Sequence, residues 1–481
     1  MSYYDAILFT DLEGTLVPVK TTGAFKIASV LRQKGYSVKV ISNTIYIMNN
    51  HAQLLYDYID SHVGKNTMFI GFSTTFMQSV DVLKPLIERI YLRHPHVKIV
   101  VGGHGFKTKE LLKDDKVDHW VRGLSENSIF DVISDNKLPR IVNDPTHASS
   151  YNFHDSVPLF SKEDVVMPNE VLPLEVSRGC IFKCKFCSFF LLGRKYSDNY
   201  LRSEDSIYDE LKFNYDHFGT TQYHMMCDTF NERTDKLLYL QKAINRVKID
   251  INFWAYMRLD LIHAYPEQID LLKEMGVRNV FFGIESLHDP SSKAIGKGFG
   301  REKTIEMIHR LKEAWGKDVF LHGSFIVGLP HETPDTAAEW CEMLANRDIP
   351  FDSTGIGGLR IQPRRAVNSH NQSEFDRNAE DFGYTRTGKP YPISGTTQNW
   401  ENKYWTAKSA IEFAQHWHWK SAEKNPKSAE GDNGGHGRYM TLQTAGYSWN
   451  DVISNKVEES QIKKNGKNMF EKYVESVLND V

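Results

Sequence analysis

Cysteine is scarce in this chain, with five among 481 residues. That scarcity excludes the disulfide framework that holds small secreted domains, and it fits a reducing cytoplasm. An excess of one charge is also missing. Lys and Arg total 58 against 61 Asp and Glu, a net charge of −3, so nothing draws the whole molecule to nucleic acid or anionic membrane. No apolar run approaches the roughly 18 residues of a membrane span. The opening MSYYDAILFTDLEGT has neither the cationic stretch nor the apolar core of a secretory signal. Tandem repeats and low-complexity tracts are absent too. What remains is an ordinary globular composition, 41% hydrophobic and 25% charged, in a chain long enough for two or three cores.

The periodicity is that of an α/β protein. Over residues 1–133, short Val- and Ile-rich runs at 6–9, 36–42, 67–73, 97–103 and 117–123 alternate with helical patterns at 22–34, 49–62, 77–93, 106–113 and 125–133. This predicts a Rossmann-like, doubly wound parallel sheet. Gly71, Gly102, Gly103 and Gly123 fall at its strand ends, where such sheets bind ligands. Residues 134–170 carry four prolines and little periodicity, and read as a linker that wraps the next domain. A second series fills 171–361, with strands expected at 172–177, 221–227, 251–256, 278–284, 320–327 and 354–361, and helices at 203–217, 232–246, 266–275, 301–315 and 334–346. Six such units predict a partial (β/α)6 TIM-like barrel, whose site lies at the carboxyl ends of its strands. Residues 362–481 read as a mainly helical C-terminal region that shapes a substrate pocket, with helices at 403–424 and 456–480.

Three of the five cysteines lie together in SRGCIFKCKFCSFF, after the first barrel strand. A structural zinc site takes four ligands, usually from two distant pairs. Here Cys227 and Cys341 stand alone, so a distant histidine would have to complete it. Three thiolates spaced C-x3-C-x2-C better suit a four-iron cluster with one iron open to another ligand, since ferredoxin-type clusters take four cysteines.

With Phe186 ahead of Cys187, the segment resembles the signature of radical S-adenosylmethionine (SAM) enzymes. The resemblance implies that Cys180, Cys184 and Cys187 each ligate one iron of a [4Fe–4S] cluster, that SAM chelates the fourth, and that its reductive cleavage releases a 5′-deoxyadenosyl radical. It places SAM contacts at successive strand ends: Asp228 in Asp228-Thr229-Phe230, Arg258 as a fork for the SAM carboxylate, Glu285 with Ser286, and Ile326 and Gly328 against adenine. Ile181, Phe182, Phe186, Phe189 and Phe190 would keep the cluster dry.

The domain order resembles the radical SAM subgroup with an N-terminal cobalamin-binding domain. That implies a corrinoid between the domains, with Ser73, Thr74, Gly102, Gly103 and His104 on its phosphate side. The sequence departs from the histidine-ligated pattern D-x-H-x-x-G: TDLEGTLVP follows the first strand, and Asp60-Ser61-His62-Val63-Gly64 is one residue short. A histidine below cobalt is not expected. Gly123-Leu124-Ser125-Glu126 likewise replaces a Gly-Glu-x-Glu run.

With cobalamin, the implied outcome is methylation of an unactivated carbon or phosphorus. Without it, rearrangement, cyclisation or oxidation would follow. The substrate, a small molecule or peptide, is not named by the sequence, and a reductant such as flavodoxin or ferredoxin is implied. Two rival readings stand: a non-catalytic metal-cluster module, and a Mg2+-dependent phosphatase with Asp11 of DLEGT as nucleophile, Glu13 as acid/base and ISNT (41–44) as a second motif. Cys227 and Cys341 read as buried, inert thiols. His416 and His418, two apart on a helix, point to different faces and would not share a metal. Arg360, Gln362, Arg364 and Arg365 are candidate substrate contacts, and His322 and Tyr256 sit on barrel strands.

Overall fold

Strand β1 (Ala6–Thr10) is AILFT with every residue buried, as a strand covered on both faces must be. It pairs with β2 (Val38–Ile41) and β3 (Phe69–Ser73), followed by β4 (Lys98–Gly102), β5 (His119–Arg122) and β6 (Ile141–Asn143). The order is β2-β1-β3-β4-β5-β6, all parallel. The chain reverses direction across the sheet at β1/β3, and the carboxyl ends beside that point form a crevice. The structure, a computed structural model, describes residues 3–77, 79–103, 111–134, 137–143, 151–187, 200–362, 372–390, 398–428, 436–454 and 457–479.

Two details differ from the periodicity. β6 lies inside the segment expected to be a linker, because three residues between two prolines are too few to show a period. The second helix, Thr44–His62, starts five residues before the expected 49. Its backbone leaves helical geometry at His51 (φ −138°), and the apolar stripe is broken there. The expected helix at 106–113 lies largely outside the described residues.

The second sheet comprises β7 (Leu172–Leu174), β8 (Gln222–Met225), β9 (Asn252–Met257), β10 (Val277–Glu285), β11 (Phe320–Val327) and β12 (Ser353–Gly358). All pair in parallel in chain order, and among the described residues β7 and β12 do not close on each other. Returning helices carry their own stop and start signals. Ser203 accepts the Ser206 amide at the head of Glu204–Phe218, and Gly219 (φ 66°) ends it. Thr333 and Thr336 form a reciprocal cap on Pro334–Asn346, worth about 1 kcal/mol. Beyond the barrel, a hairpin of β13 (Thr385–Pro390) and β14 (Gln398–Glu401) interrupts the region expected to be mainly helical. Helices Ala407–Lys424, His436–Thr444, Trp449–Ile453 and Glu459–Leu478 follow.

The first sheet feeds two cores, as a period of two requires. Leu8, Val40, Phe69, Val100 and Val121 join the core that continues into the barrel. Ile7, Phe9, Ile41, Ile70, Phe72, Ile99 and Val101 face the other way, into a core completed by Tyr473, Val474, Val477 and Leu478 of the last helix. Tyr473 Oη accepts the Ser42 amide at 2.9 Å and pairs with Ser42 Oγ at 2.7 Å. The Tyr46 and Phe470 rings stack at 4.2 Å. Gly466 permits the fit, since a Cβ there would stand 1.7 Å from the Leu16 carbonyl oxygen. The final helix therefore packs with the N-terminal domain rather than over the barrel.

Candidate functional site

The cysteine loop leaves the end of β7. Its shape is fixed by backbone bonds from Lys185 N to Ile295 O (3.0 Å), Cys187 N to Cys184 O (3.1 Å) and Phe375 N to Lys185 O (3.1 Å). An ion pair from Lys185 Nζ to Glu374 Oε2 (2.7 Å) adds to these. Cys184 is buried, and Cys180 and Cys187 are half-buried. Two thiols already meet donors: Thr229 Oγ1 lies 3.3 Å from Cys180 Sγ, and Arg258 Nη1 donates to Cys184 Sγ at 3.4 Å. Donors aimed at sulfur suit thiolates that carry a cluster. Among the described residues no group of three His, Cys, Asp or Glu is placed to share one metal ion. Phe182 and Phe186 are half-buried beside the thiols and Ile181 is exposed; Phe189 and Phe190 lie outside the described residues.

The barrel strand ends converge on this loop. After β8, Asp228 is half-buried, and loss of hydration is the chief cause that pushes its carboxyl up to about 6 against the pull of Lys236. Lys236 Nζ donates to Ser177 Oγ (2.7 Å), Glu232 Oε1 (3.0 Å) and the Thr229 carbonyl (3.4 Å). After β9, the Arg258 backbone is clamped by Asn231 through two bonds of 2.9 Å. Its side-chain fork closes on Asp260, from Nε at 3.0 Å and Nη2 at 2.7 Å, a carboxylate of the chain itself. At the end of β10, Glu285 is buried and holds φ 73°, a left-handed conformation that costs a non-glycine residue about 1–3 kcal/mol and gathers at functional sites. Its Oε1 lies 3.7 Å from Lys297 Nζ, which is bonded to the Gly283 carbonyl at 2.7 Å.

Sequence reasoning missed Glu332, which joins two expected contacts. Its Oε2 accepts the Gly328 amide at 2.7 Å, and its Oε1 accepts Trp340 Nε1 at 3.1 Å and Ser286 Oγ at 3.4 Å. Burial, against these donors, pushes its carboxyl up to about 7. Gly328 (φ 92°) is crowded by the C-terminal region, where a Cβ would meet Trp400 at 2.9 Å. Ile326 is half-buried on β11. The signal for Glu332 was present in PHET, but the residue reads there as the start of a helix.

The N-terminal crevice holds a cavity of about 270 Å3. Its walls are largely apolar, including Leu8, Phe69, Phe72, Val100 and Val121, with Ser73, Gly102 and Gly103 at the rim. Thr74 is turned away, its amide and hydroxyl both bonded to the Gly102 carbonyl at 3.0 Å; His104 lies outside the described residues. Gly102 keeps the rim open, since a Cβ there would meet nothing nearer than 3.9 Å. The far wall belongs to the barrel domain, through Glu175 and Arg178. Arg178 pairs with Glu126 of the N-terminal domain at 2.5 Å and with Glu175 at 2.7 Å, stacked on the Phe153 ring at 4.4 Å. Lys26 also lines the cavity, its ammonium pushed down to about 8, mainly by burial. The second oxygen of Glu126 is buried and has no hydrogen-bond partner among the described residues. An orphaned acceptor in an apolar cavity fits a ligand with a flat apolar part and a donor group.

The remaining expectations sort by burial. Asp11 is buried, and its Oδ2 accepts the Ile45 amide at 2.7 Å while Glu13 accepts the Ser79 amide at 3.2 Å. This ties Asp11 to the start of a helix. Cys227 and Cys341 are buried. His416 is exposed while Trp417 beside it is buried, and their helix lies on β12, where Ile411 crowds Gly358. Tyr256 and His322 stand on the barrel strands, with His322 Nδ1 2.7 Å from Ser353 Oγ. The Gln362 amide is bonded to Asp376 at 2.6 Å and Arg360 is exposed; Arg364 and Arg365 lie outside the described residues.

Comparison with known proteins bears on the domains and the fold. Residues 174–344 match the Radical SAM superfamily and residues 16–132 the B12 binding domain. An uncharacterized methyltransferase of Pyrococcus horikoshii is 27% identical over 265 residues, covering 53% of this chain and 54% of that one, so the chain spans about half of that relative's length. The cytidylyl-2-hydroxyethylphosphonate methyltransferase of Streptomyces wedmorensis is 29% identical over 178 residues, 36% of this chain and 32% of that one. The radical S-adenosylmethionine methyltransferase TsrM of Kitasatospora setae, solved with cobalamin and a [4Fe–4S] cluster, superposes with a TM-score of 0.63 at 15% identity, covering 97% of this chain and 100% of that one. The cobalamin-dependent enzyme OxsB gives 0.59 at 15% identity, covering 98% and 71%. At such identities the two structures speak for the fold.

Proposed function

We infer, from a chain that carries a radical SAM domain behind a B12-binding domain, that this protein is a cobalamin-dependent radical SAM methyltransferase. One observation carries the reading. The arginine that closes the N-terminal cavity, Arg178, lies two residues before the first clustered cysteine, so the sites for the two cofactors share a wall.

When bound, a [4Fe–4S] cluster with an open iron would supply the electron that cleaves SAM, and a corrinoid would supply a methyl carrier. The chain's own residues bind and orient. Cys180, Cys184 and Cys187 would hold three irons. Asp228, beside Gly179 at the base of the loop, and Glu285 would face the SAM amine and ribose. Ser286, Ile326 and Gly328 would shape its adenine end, and Phe186 would keep water from the metal. Ser73, Gly102 and Gly103 would border the corrinoid, with Lys26 and the free oxygen of Glu126 as its polar contacts. The substrate, small molecule or peptide, would enter between the domains, and a flavodoxin or ferredoxin would deliver the electron.

Anoxically purified protein from cells supplied with cobalamin decides the matter. Stoichiometric corrinoid, and transfer of label from methyl-labelled SAM to corrinoid or product, is the expected result. 5′-Deoxyadenosine without bound corrinoid would leave a radical enzyme of another outcome, and the absence of both would overturn the proposal.

A further inference from the structure

We propose that Arg258 sets the reduction potential of the cluster through Cys184, rather than binding the SAM carboxylate. The idea rests on the radical SAM reading above. Three contacts carry it. Nη1 donates to Cys184 Sγ at 3.4 Å. The guanidinium lies over the Phe182 ring, 4.1 Å from its centroid, and Phe182 is on the same loop, two residues from Cys180 and from Cys184. Asp260 takes Nε and Nη2 in a planar fork, which fixes the direction of the remaining Nη1. The side chain is 8% exposed, so water screens this charge little.

The electrostatic sign is definite. A cluster that gains an electron becomes more negative, and a permanent cation with an N–H aimed at a ligating sulfur stabilises that state. Arg258 therefore makes the cluster easier to reduce, with Asp260 tempering the effect. The fork chemistry that elsewhere recognises a carboxylate ligand is spent inside the chain.

The test is a redox titration of the full chain, reconstituted anoxically without SAM and followed by paramagnetic resonance, for wild type, Arg258→Gln and Arg258→Lys. SAM affinity is measured on the same samples. Arg258→Gln should cut the reduced fraction at a fixed poise about tenfold, a shift of about 59 mV to lower potential for one electron. Arg258→Lys, which keeps the charge but not the fork, should fall between. SAM affinity should change less than about threefold. An unmoved midpoint overturns the proposal, as does a tenfold loss of SAM affinity, which would make Arg258 the carboxylate contact. Variants that build no cluster while wild type does would make Arg258 a scaffold for the loop, again overturning it. Wild type that takes up no iron and sulfide would sink the functional reading instead.

Discussion

The cysteine loop and the N-terminal cavity lie on either side of Arg178, and they are made of different materials. The loop is sulfur, cation and hydrogen-bond donor, each at a defined distance from another. The cavity is side-chain volume withheld: apolar walls, glycines at the rim and one acceptor left over. A metal cluster demands particular atoms at particular places, whereas a large flat ligand demands room. Ligation is therefore concentrated in a few residues, and accommodation is spread over many.

That contrast can be broken experimentally. The largest effect should come from Cys184→Ala, which would remove one of the three proposed iron ligands: iron and sulfide per chain should fall to about a tenth of wild type or less, and 5′-deoxyadenosine should not rise above background. Next is the junction itself. Glu126→Ala leaves Arg178 buried with Glu175 as its one remaining ion-pair partner, a loss of about 3–5 kcal/mol in urea unfolding. A smaller loss would mean that the shared wall is soft. Gly102→Val adds a side chain at the open rim without a backbone clash; corrinoid per chain should drop about tenfold, about 1.4 kcal/mol, with the fold retained by circular dichroism. Retained corrinoid would place the ligand elsewhere.

A subtler effect is expected at Glu332. Its carboxyl is raised from 4.5 to about 7 in the folded protein, so the native state binds the proton more tightly than the unfolded chain. This stability is fully present below pH 4.5 and is lost as pH rises through 7. Thermal midpoints should fall across that window in wild type and fall less in Glu332→Gln. The smallest effect belongs to Asp11→Ala, about 1 kcal/mol from a lost bond to the Ile45 amide, with no Mg2+-dependent phosphate release from generic esters before or after the change.

The same contrast explains what was legible in the sequence. Three cysteines at C-x3-C-x2-C announce their chemistry because few other purposes need that spacing, and the strand-helix alternation followed from period alone. Ser73, Gly102 and Gly103 were found as strand ends, but Thr74 beside them turns inward, a difference of side-chain direction that no pattern encodes. Glu126 and Glu332 were read as a displaced motif acid and a helix start. Their importance lies in partners 52 and 4 residues away, Arg178 and Gly328, that only packing brings together. Arg258 follows a strand end as expected, but its fork with Asp260 two residues on was not read, because that carboxylate has the same chemistry as the ligand expected there. β6 was lost because three residues cannot show an alternation.

Tyr473 meets Ser42 across 431 residues of sequence. A ribosome adding about 5–20 residues per second takes roughly 20–90 s to cover that span. Throughout that interval the flank of the nascent sheet on which Leu55, Ile59 and Ile87 pack still lacks Tyr473, Val474, Val477 and Leu478, so this core stays unfinished long after its strands are made and is where chaperone attendance should concentrate.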